Sequence, residues 1–462
     1  MFSSKKLVAA IFATGLLSAC GGGGSNSSDK NVVIDEGYSY CSAPDINEKL
    51  YDYMDADYFW TNDLPTDFDP EAYANIGAAL DALRLEKDRF SFSMTTAEYN
   101  DYAASVFFGY GFSHTVTPEK DALLIRYVYE DGSPSKEGLR RGDKMIEISG
   151  TSMTQIISEV EAGTKTLGDY FGPNEDGYTI SIKFEKPNGD VISADISKAQ
   201  ITANTVLAAQ VKEIEINDET QNVGYLVFNS FDGVSEGELN DAFDEFKSFK
   251  DEGIDQLVLD LRYNGGGLIR VANQLSSQIA GDNVDGEVFA KTRYNHKNTY
   301  KNSTTLFDMG QGVEAMNLDK VIVLTSESSC SSSELVINSL KPFIEVVTVG
   351  NQTCGKPIGM SPKQICNDVV FAINFDSVNA AGEGEYYDGL EVDCQVDEVV
   401  TGDWGVDTDP MYAEGINYLK TGSCSNNVQK FAPVSAQSTN KMQKATHKID
   451  WTKGPIKAQN LL

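Results

Sequence analysis

The sequence predicts a multidomain α+β protein, and three observations support that prediction. The chain has 462 residues, more than a single hydrophobic core usually serves. Apolar residues make up 41 %, which is enough for conventionally folded cores. Their periodicity changes along the chain, from helical spacing to short strands and then to alternating strands and helices. We therefore expect an N-terminal helical region, a β-rich domain and an α/β core.

Residues 1–19 have the pattern of an export signal. Lys5 and Lys6 precede an apolar stretch over residues 7–17 that is too short to span a bilayer in the mature protein. The following Leu-Ser-Ala-Cys, ending at Cys20, resembles a bacterial lipobox. The resemblance implies that Cys20 is lipidated; ordinary cleavage that leaves Cys20 free is the alternative. Residues 20–37, rich in glycine and serine, would then be a flexible linker.

Export and anchoring together set the expected location. We expect the protein in the cell envelope of a Gram-negative-type bacterium, lipid-anchored and facing the periplasm, with the outer membrane favoured over the inner one. The membrane partner would be reached only through the N-terminal lipid. The formal net charge of −32 repels phosphate backbones, so nucleic-acid binding is not expected. The sequence does not indicate an oligomeric state.

Six cysteines remain after Cys20, an even number for an oxidising compartment. No CxxC pair and no neighbouring histidine supports metal binding, so disulfides are favoured. Short spacing suggests the pairs Cys354–Cys366 and Cys394–Cys424, which leaves Cys41–Cys330. Sequence alone allows about 15 pairings, so these three remain hypotheses.

Residues 38–102 are predicted to be the helical region. Asp45 to Glu48 has the form of a capping box, and apolar residues follow it at helical spacing as far as Tyr58. A second helix is expected to start at Asp69-Pro70 and to bury Leu80 and its neighbours. No residue pattern in this region indicates chemistry.

Residues 103–203 are predicted to be β-rich, with strands at 123–128, 144–148, 178–184 and 191–196. The segment GLRRGDKMIEISG at 138–150 resembles the most characteristic stretch of a PDZ domain. An upstream loop resembles the PDZ carboxylate-binding loop; its residues are Gly109, Tyr110, Gly111 and Phe112. Glycines there would let backbone N–H groups converge on a chain-terminal carboxylate, and the next strand could pair with the peptide. Without the second motif, this loop would indicate only a turn.

Residues 204–425 alternate strands and helices, which predicts an α/β core. The expected strands and helices are, in order, strand 223–229, helix 236–249, strand 256–261, helix 268–279, strand 321–324, a helix from 335 and strand 346–350. Residues 426–462 are polar and lysine-rich with little periodicity, and they are predicted to be a mobile tail.

Two residues of this core are candidates for chemistry. Ser331 lies at a strand-to-helix turn, and Lys356 lies just past the following strand, so the two could meet at one sheet edge. A serine hydroxyl needs a base, and lysine can serve if its pKa falls from about 10.4 to about 7–8. The sequence neighbours of Lys356 are uncharged, which suits that requirement. A purely structural alternative is that Ser331 only caps the helix, because Ser331 to Glu334 is itself a capping box.

Histidine is a less suitable base in this chain. His114 falls in the β-rich region, His447 in the predicted tail and His296 in a polar loop. A Ser-His-Asp triad is therefore not favoured, although His296 remains the alternative base.

A glycine loop follows the buried strand at 256–261, in the sequence LDLRYNGGG. It would expose bare backbone N–H groups at the sheet edge. A phosphate loop is not supported, because no GxxxxGK[ST] or GxGxxG is present, and a tight turn is the simpler alternative.

Taken together, the glycine loop, the Ser-rich turn ending in Ser-Glu and the later Gly-Lys resemble the C-terminal processing peptidases. These are serine peptidases with a Ser-Lys dyad, an embedded PDZ domain and a crotonase- or Clp-protease-like catalytic core. The resemblance covers residues 40–424. It implies that Ser331 is the nucleophile and Lys356 the base, and that the N–H groups of Gly266 and Ser332 form the oxyanion hole. It implies protein or peptide substrates and no metal or organic cofactor.

Two positions depart from the family pattern. Met360 stands where many members have a glutamine that orients the lysine, and Pro357 stands where glycine is common. The prediction is an exported, membrane-tethered serine endopeptidase whose PDZ-like domain binds substrate C-termini. The alternative, which these two residues favour, is a non-catalytic peptide-binding lipoprotein of the same fold.

Overall fold

The computed structural model describes residues 41–104, 106–310 and 312–425. The predicted export signal (1–19), Cys20, the linker (20–37), and the tail (426–462) with His447 lie outside the described residues. Within the described ranges, no helix has both the length and the apolar character that a bilayer crossing requires.

Residues 41–104 carry α1 (Ala43–Asp57), α2 (Ile76–Leu83), β1 (Phe92–Thr95) and α3 (Thr96–Ala103). α1 begins earlier than predicted: Ser42 is the N-cap, and Asp45 is the third helical residue that bonds back to it. The predicted helix start at Asp69-Pro70 was also wrong. Pro70–Ala72 forms a separate short 3₁₀ turn, and α2 starts after Asn75, whose side chain accepts from Ala78 N–H.

Residues 106–203 are β-rich, as predicted. Their elements are β2 (Val106–Gly109), β3 (Phe112–Val116), β4 (Leu123–Val128), α4 (Ser133–Lys136), β5 (Lys144–Ile148), β6 (Thr151–Ser152), α5 (Met153–Glu161), α6 (Leu167–Phe171), β7 (Thr179–Glu185), β8 (Val191–Ser197) and β9 (Ala199–Thr202). The main sheet has the order β3-β4-β5-β7-β8, with β6 on β5, and β2 pairs with β9. One apolar cluster, drawn only from residues between Tyr110 and Ile196, fills the interior of this sheet.

The remaining described residues form the predicted α/β core. Its elements are β10 (Val206–Ile216), β11 (Glu219–Phe228), α7 (Ser235–Ser248), β12 (Gln256–Asp260), α8 (Ile269–Ala280), β13 (Val288–Tyr294), β14 (Ser303–Leu306), β15 (Lys320–Thr325), α9 (Ser332–Leu340), β16 (Glu345–Gly350), β17 (Ile358–Met360), β18 (Lys363–Ile365), β19 (Asp368–Phe371), β20 (Ile373–Val378), β21 (Cys394–Gln395) and α10 (Pro410–Thr421).

The central sheet has the order β10-β11-β12-β15-β16-β21, and every pairing from β11 to β21 is parallel. Its two faces are covered by separate apolar clusters, one with α7, α8 and α9 and the other with α10. Because β12, β15 and β16 are adjacent and parallel, their carboxyl ends meet at one edge of the sheet. The glycine loop, Ser331 and Lys356 follow these three ends in turn. This edge is therefore where the predicted site assembles.

Two smaller sheets attach other segments to the core. One has the antiparallel order β14-β13-β20-β17, and the other has the order β1-β19-β18, in which β1 of the N-terminal region pairs with β19.

Three disulfides are present among the described residues, and only one predicted pair is correct. Cys394–Cys424 is confirmed. The other two are Cys41–Cys366 and Cys330–Cys354, so the predicted pairs Cys354–Cys366 and Cys41–Cys330 were wrong. Short sequence spacing misled the prediction, because the fold brings Cys41 to Cys366 across 325 residues.

Candidate active site

Ser331 lies at the start of α9, in the loop that follows β15. The segment that follows β12 holds this loop in place. Ser329 Oγ donates to the Leu261 carbonyl at 2.8 Å, and Cys330 N–H donates to the Asn264 carbonyl at 3.1 Å. Ser331 itself has φ +56° and ψ −112°, a conformation that residues with a Cβ rarely adopt. Such strain persists only where the surroundings enforce it, and it is typical of functional turns. The Ser331 side chain is half-buried, which leaves it accessible at the sheet edge.

The glycine loop packs directly against this turn. Gly266 has φ +101°, and a Cβ built on it would lie 2.7 Å from Ser331 Cβ and 3.0 Å from Ser332 N. Any side chain at position 266 would therefore displace the serine turn. Ser332 Oγ donates to the Gly267 carbonyl and Ser333 Oγ to the Asn264 carbonyl, each at 2.8 Å. Ser333, which the sequence assigned only to the helix, thus also ties the two loops together.

The two predicted oxyanion donors lie side by side but differ in their hydrogen bonding. Ser332 opens α9, so its N–H belongs to the first turn, which has no intrahelical acceptor. The N–H of Gly266 donates to Asn264 Oδ1 at 2.9 Å. The Gly266 donor is therefore occupied by a side-chain oxygen in this structure.

A single buried carboxylate connects Ser331 to Lys356. Glu334 Oε2 accepts from Ser331 N–H at 2.9 Å and from Lys356 N–H at 2.8 Å. Its other oxygen accepts from Thr353 Oγ1 at 2.6 Å and from Gly355 N–H at 2.8 Å. Because one oxygen serves both backbones, the nitrogens of Ser331 and Lys356 lie within about 6 Å of each other. The fold thus brings the backbones of the predicted nucleophile and base together.

A disulfide reinforces the same junction. Cys330 precedes Ser331 and is bonded to Cys354, two residues before Lys356, with the Cα atoms 5.2 Å apart. Cys354 N–H also donates to the Ser329 carbonyl at 3.0 Å. Among the described residues, two triads could hold a metal ion by their ligand types: Cys330-Glu334-Cys354 and Cys394-Glu414-Cys424. Each contains a disulfide, so its two sulfur atoms are already bonded to each other.

Lys356 is buried, with 7 % of its surface exposed, and burial lowers its pKa to about 8. The carboxylates of Glu334 and Asp88 act in the opposite direction and raise its pKa. The sequence neighbours of Lys356 are uncharged, but they do not describe its electrostatic surroundings fully, because both carboxylates come from other parts of the chain. Desolvation outweighs their attraction, which leaves a lysine that can lose its proton near neutral pH.

The N-terminal region supplies two residues that sequence reasoning missed. The Phe90 ring lies under the Lys356 ammonium, with Nζ 5.3 Å from the ring centroid. Asp88 is 2 % exposed and belongs to the same turn. The sequence contained no helpful signal, since DRFS at 88–91 follows a helix without any recognisable spacing to Lys356. Residues 38–102, in which no sequence pattern indicated chemistry, thus contribute a turn that contacts the candidate base.

The two histidines within the described residues lie elsewhere. His114 is 3 % exposed inside the β-rich region, where it stacks on Phe171 and burial lowers its pKa to about 4. His296 lies in an exposed loop after β13. Neither imidazole has a hydrogen bond to Ser331 in the described part of the chain, whereas the Lys356 backbone shares the Glu334 carboxylate with Ser331, so lysine is the better-placed candidate base.

The predicted carboxylate-binding loop is packed more tightly than expected. Tyr110 and Phe112 are both fully buried, and Tyr110 Oη donates to the Phe171 carbonyl at 3.0 Å. Gly111 has φ +85°, and a Cβ there would lie 2.5 Å from Ile201 Cδ1. The two aromatic side chains thus lie in the domain core, and recognition of a chain-terminal carboxylate by this loop stays a prediction.

Met360 and Pro357 are both part of the structural framework. Met360 ends β17 and packs against two apolar clusters of the N-terminal region and the core. The Pro357 carbonyl accepts from Ser377 N–H at 3.0 Å, which ties it to β20.

Comparison with known proteins identifies the family to which two domains of the chain belong. The family pattern named Peptidase family S41 matches residues 222–395, and the Peptidase S41 N-terminal domain matches residues 45–92. The chain therefore contains domains of peptidase family S41, and the resemblance to the C-terminal processing peptidases is confirmed.

Several individual proteins are similar over part of the chain. The carboxyl-terminal-processing peptidase 3 of Arabidopsis thaliana chloroplasts is 24 % identical over 293 residues, which is 62 % of this chain and 52 % of that protein. The carboxyl-terminal-processing protease of Picosynechococcus is 26 % identical over 290 residues, 62 % of this chain and 63 % of that protein. This chain thus matches between about half and two-thirds of these relatives' length.

A solved structure supports the fold. A Bacteroides fragilis protein assigned as an S41 protease superposes with a TM-score of 0.64 and 21 % identity, covering 83 % of this chain and 98 % of that one. At this identity the likeness concerns the mixed α/β multidomain fold alone.

Proposed function

We propose that this protein is an exported serine endopeptidase that cleaves protein or peptide substrates with a Ser331–Lys356 dyad. The observation that carries the proposal is the Glu334 carboxylate, which accepts from the backbone nitrogens of both residues at one sheet edge. The two relatives described above are named as carboxyl-terminal-processing peptidases, which supports the same reaction class. The proposed reaction uses no metal or organic cofactor.

The chemistry begins with neutral Lys356. Its Nζ accepts the proton of Ser331 Oγ as that oxygen attacks the substrate's peptide carbonyl carbon. The tetrahedral intermediate collapses, the C–N bond breaks, and the lysine ammonium returns its proton to the leaving amine. A water then attacks the acyl-enzyme ester, giving its proton to Nζ, and Ser331 leaves with that proton restored.

The lysine's proton affinity sets the pH dependence. With a pKa of about 8, Lys356 is mostly protonated at pH 7 and mostly neutral above pH 8. Acylation should therefore increase as the pH rises through about 8.

The oxyanion would be held by the N–H groups of Ser332 and Gly266. The Ser332 N–H lies at a helix start, where backbone donors favour negative charge. The Gly266 N–H must share or exchange its bond to Asn264 Oδ1 before it can contribute.

Casein cleavage by purified variants tests the dyad. Ser331→Ala and Lys356→Ala should each abolish cleavage, whereas His296→Ala should retain it because that imidazole lies in an exposed loop. Near wild-type cleavage by Lys356→Ala would show that another base operates.

The β-rich region is proposed to bind substrate C-termini through a PDZ-like groove. The loop with Gly109 and Gly111 leads into β3, which is an edge strand of its sheet and can accept a peptide strand. Titration of the Ser331→Ala protein should show tighter binding of a peptide with a free, apolar C-terminus than of its C-terminal amide. Equal affinities would mean that the loop does not recognise the carboxylate.

Membrane tethering through Cys20 is part of the proposal and rests on the Leu-Ser-Ala-Cys sequence. The three disulfides of the described chain suit an oxidising compartment. Cell fractionation should find the wild type with the membranes and Cys20→Ser in the soluble periplasmic fraction. Membrane association of Cys20→Ser would argue against the lipid anchor.

A non-catalytic peptide-binding protein is the second candidate, favoured by Met360 and Pro357 at positions where the family pattern differs. Labelling with a fluorophosphonate distinguishes the two functions. A peptidase should be labelled at Ser331, and the label should disappear in Ser331→Ala. A folded protein that binds peptides but is never labelled would favour the second candidate.

A further inference from the structure

The turn at residues 88–91 is the part of the N-terminal region that reaches Lys356. Phe90, 2 % exposed, places its ring 5.3 Å from Lys356 Nζ. An aromatic face at this distance attracts an ammonium, while the same ring keeps water away from it. One wall of the lysine's surroundings is thus built by a segment about 270 positions earlier in the sequence.

The Asp88 carboxylate organises this turn. Oδ1 accepts from Phe90 N–H at 3.1 Å and from Ser91 N–H at 2.9 Å. Oδ2 accepts from Tyr58 Oη at 2.8 Å and from Ser91 Oγ at 2.5 Å. Four neutral donors therefore fix both carboxylate oxygens, and the backbone on which Phe90 stands is held with them.

The turn is also attached to both sides of Lys356. Arg89 donates to the Cys354 carbonyl at 2.6 Å, two residues before the lysine. Ser91 Oγ accepts from Ile373 N–H at 3.1 Å, and Ile373 is the strand partner of Met360. Met360 occupies the position where the family pattern has a glutamine, and the strand that pairs with it is β20. The turn therefore holds β20 at the residue opposite Met360.

We propose that the turn Asp88–Ser91 is the positioning element of Lys356, with Phe90 as the wall against the ammonium and Asp88 as the residue that fixes that wall. The inference rests on the proposed function, since it assigns a role relative to the dyad's base. It explains how the lysine is held although Met360 replaces an amide side chain. The charged groups that face the lysine are Glu334 from α9 and Asp88 from this turn.

The two residues should affect the lysine's pKa in opposite directions. Phe90→Ala removes the ring's weak attraction for the ammonium, which alone would lower the pKa of Lys356, and it also admits water. Because desolvation is the largest cause of the lowered pKa, the gain of water should outweigh the lost attraction, and the pKa should rise. Asp88→Asn keeps one acceptor oxygen for the N–H groups of Phe90 and Ser91, so the turn should hold, but it removes a negative charge that raises this pKa; the pKa should therefore fall. The remaining carboxylate, Glu334, is unchanged in both variants.

The experiment measures the rate of fluorophosphonate labelling of the mature protein between about pH 6 and about pH 10, a range that brackets the lysine's pKa. Phe90→Ala should move the rising limb of the pH–rate curve to higher pH. Its rate at pH 7 should be about tenfold slower for each pH unit by which the limb moves, with recovery at high pH. Asp88→Asn should move the limb to lower pH. Phe90→Tyr, which keeps the ring, should retain the wild-type limb.

Phe92→Ala is the matched control. Phe92 is two residues further on, equally buried, and packs on Phe371 rather than on the lysine. It should lower stability without moving the limb.

The inference is overturned if Phe90→Ala loses rate equally at all pH values, or if Phe92→Ala shifts the limb as much. If Asp88→Asn fails to fold, the pH–rate curves of Phe90→Ala, Phe90→Tyr and Phe92→Ala still show whether the Phe90 ring sets the pKa of Lys356. Absence of labelling in the wild type would instead contradict the proposed function.

Discussion

The catalytic core is flanked by two regions that attach to it in different ways. Residues 41–104 share a hydrophobic core with it: α1 and α2 pack in the same apolar cluster as Cys330, Ile358 and Ile373. Residues 106–203 have an interior of their own, formed between Tyr110 and Ile196. The first region is therefore an integral part of the catalytic unit, whereas the second has the properties of a separate domain.

The attachment of the N-terminal region is covalent and extensive. Cys41 is bonded to Cys366, and β1 pairs with β19. The end of α1 is held by Asn295, whose amide donates to the carbonyls of Ala56 and Tyr58. These contacts fix the position of the turn that carries Phe90.

The β-rich region meets the core partly through β2, β9 and nearby tyrosines and partly through a buried arginine. Arg141, from the GLRRGD segment, lies 3.9 Å from the Trp404 ring centroid and 3.6 Å from Asp409. It also donates to Tyr263 Oη at 3.1 Å, one residue before Asn264 of the glycine loop. This region therefore contacts the residue that precedes the glycine loop, and the N-terminal region contacts Lys356.

Loss of the Cys41–Cys366 bond should have the largest effect on stability. The bond closes a 325-residue separation, and removal of such a crosslink costs about 3–5 kcal/mol. Urea denaturation of the Cys41→Ala/Cys366→Ala double variant measures this. The Cys394→Ala/Cys424→Ala variant is the control, because its shorter 30-residue separation predicts a smaller loss. Equal stability of wild type and the first variant would mean that the disulfide adds nothing to the attachment already made by the shared core and the β1–β19 pairing.

Lys356→Met should stabilise the protein while abolishing cleavage. A lysine whose pKa falls from 10.5 to about 8 on folding destabilises the native state by about 3 kcal/mol at neutral pH, and methionine removes that cost. The unfolded state binds the proton more tightly, so wild-type stability should rise between pH 8 and pH 10.5.

Urea denaturation across that pH range tests the sign of this effect. The gap between Lys356→Met and wild type should be constant below about pH 8 and should narrow above it. A gap that widens with pH would mean that the ammonium is stabilised by its surroundings rather than desolvated.

Local patterns explain why much of the fold could be predicted. The strand at 123–128 matches β4 because its alternating apolar residues reflect a sheet with one buried face. The strand at 144–148 matches β5, although a bulge in its pairing with β7 interrupts the alternation. Ser331, Lys356 and Gly266 were located because each follows a buried strand of one parallel sheet, so their meeting is a consequence of topology.

The features that could not be predicted from the sequence are contacts between segments that lie far apart in the chain. Neither the Cys41–Cys366 bond nor the approach of Phe90 to Lys356 leaves a spacing that sequence reasoning can use. Glu334 was recognised as a capping residue for Ser331, but its bonds to Gly355 and Lys356 depend on where β16 ends. The chemistry of the base is therefore set by tertiary contacts.

Arg141→Gln should have a moderate effect that is confined to the β-rich region. Removing one partner of a buried ion pair is costly, but Asp409 keeps its 2.8 Å pair with Arg262, so a loss of about 1–2 kcal/mol is expected. Hydrogen exchange should show earlier opening of residues 106–203 while α1 and α2 stay protected. Uniformly faster exchange in both regions would argue against a separate domain.

The smallest effect is expected at His296, which shares its loop with Asn295 but not that residue's role. Asn295 is buried and holds the end of α1, whereas His296 is exposed and has no part in the contacts described for α1. His296→Ala should therefore change stability by less than about 0.5 kcal/mol, as usual for surface substitutions, and should leave casein cleavage intact. Asn295→Ala is the matched variant and should lose stability, because two backbone carbonyls lose their donor. If His296→Ala lost cleavage while remaining folded, the imidazole would be acting in the reaction, and lysine could not be the sole base.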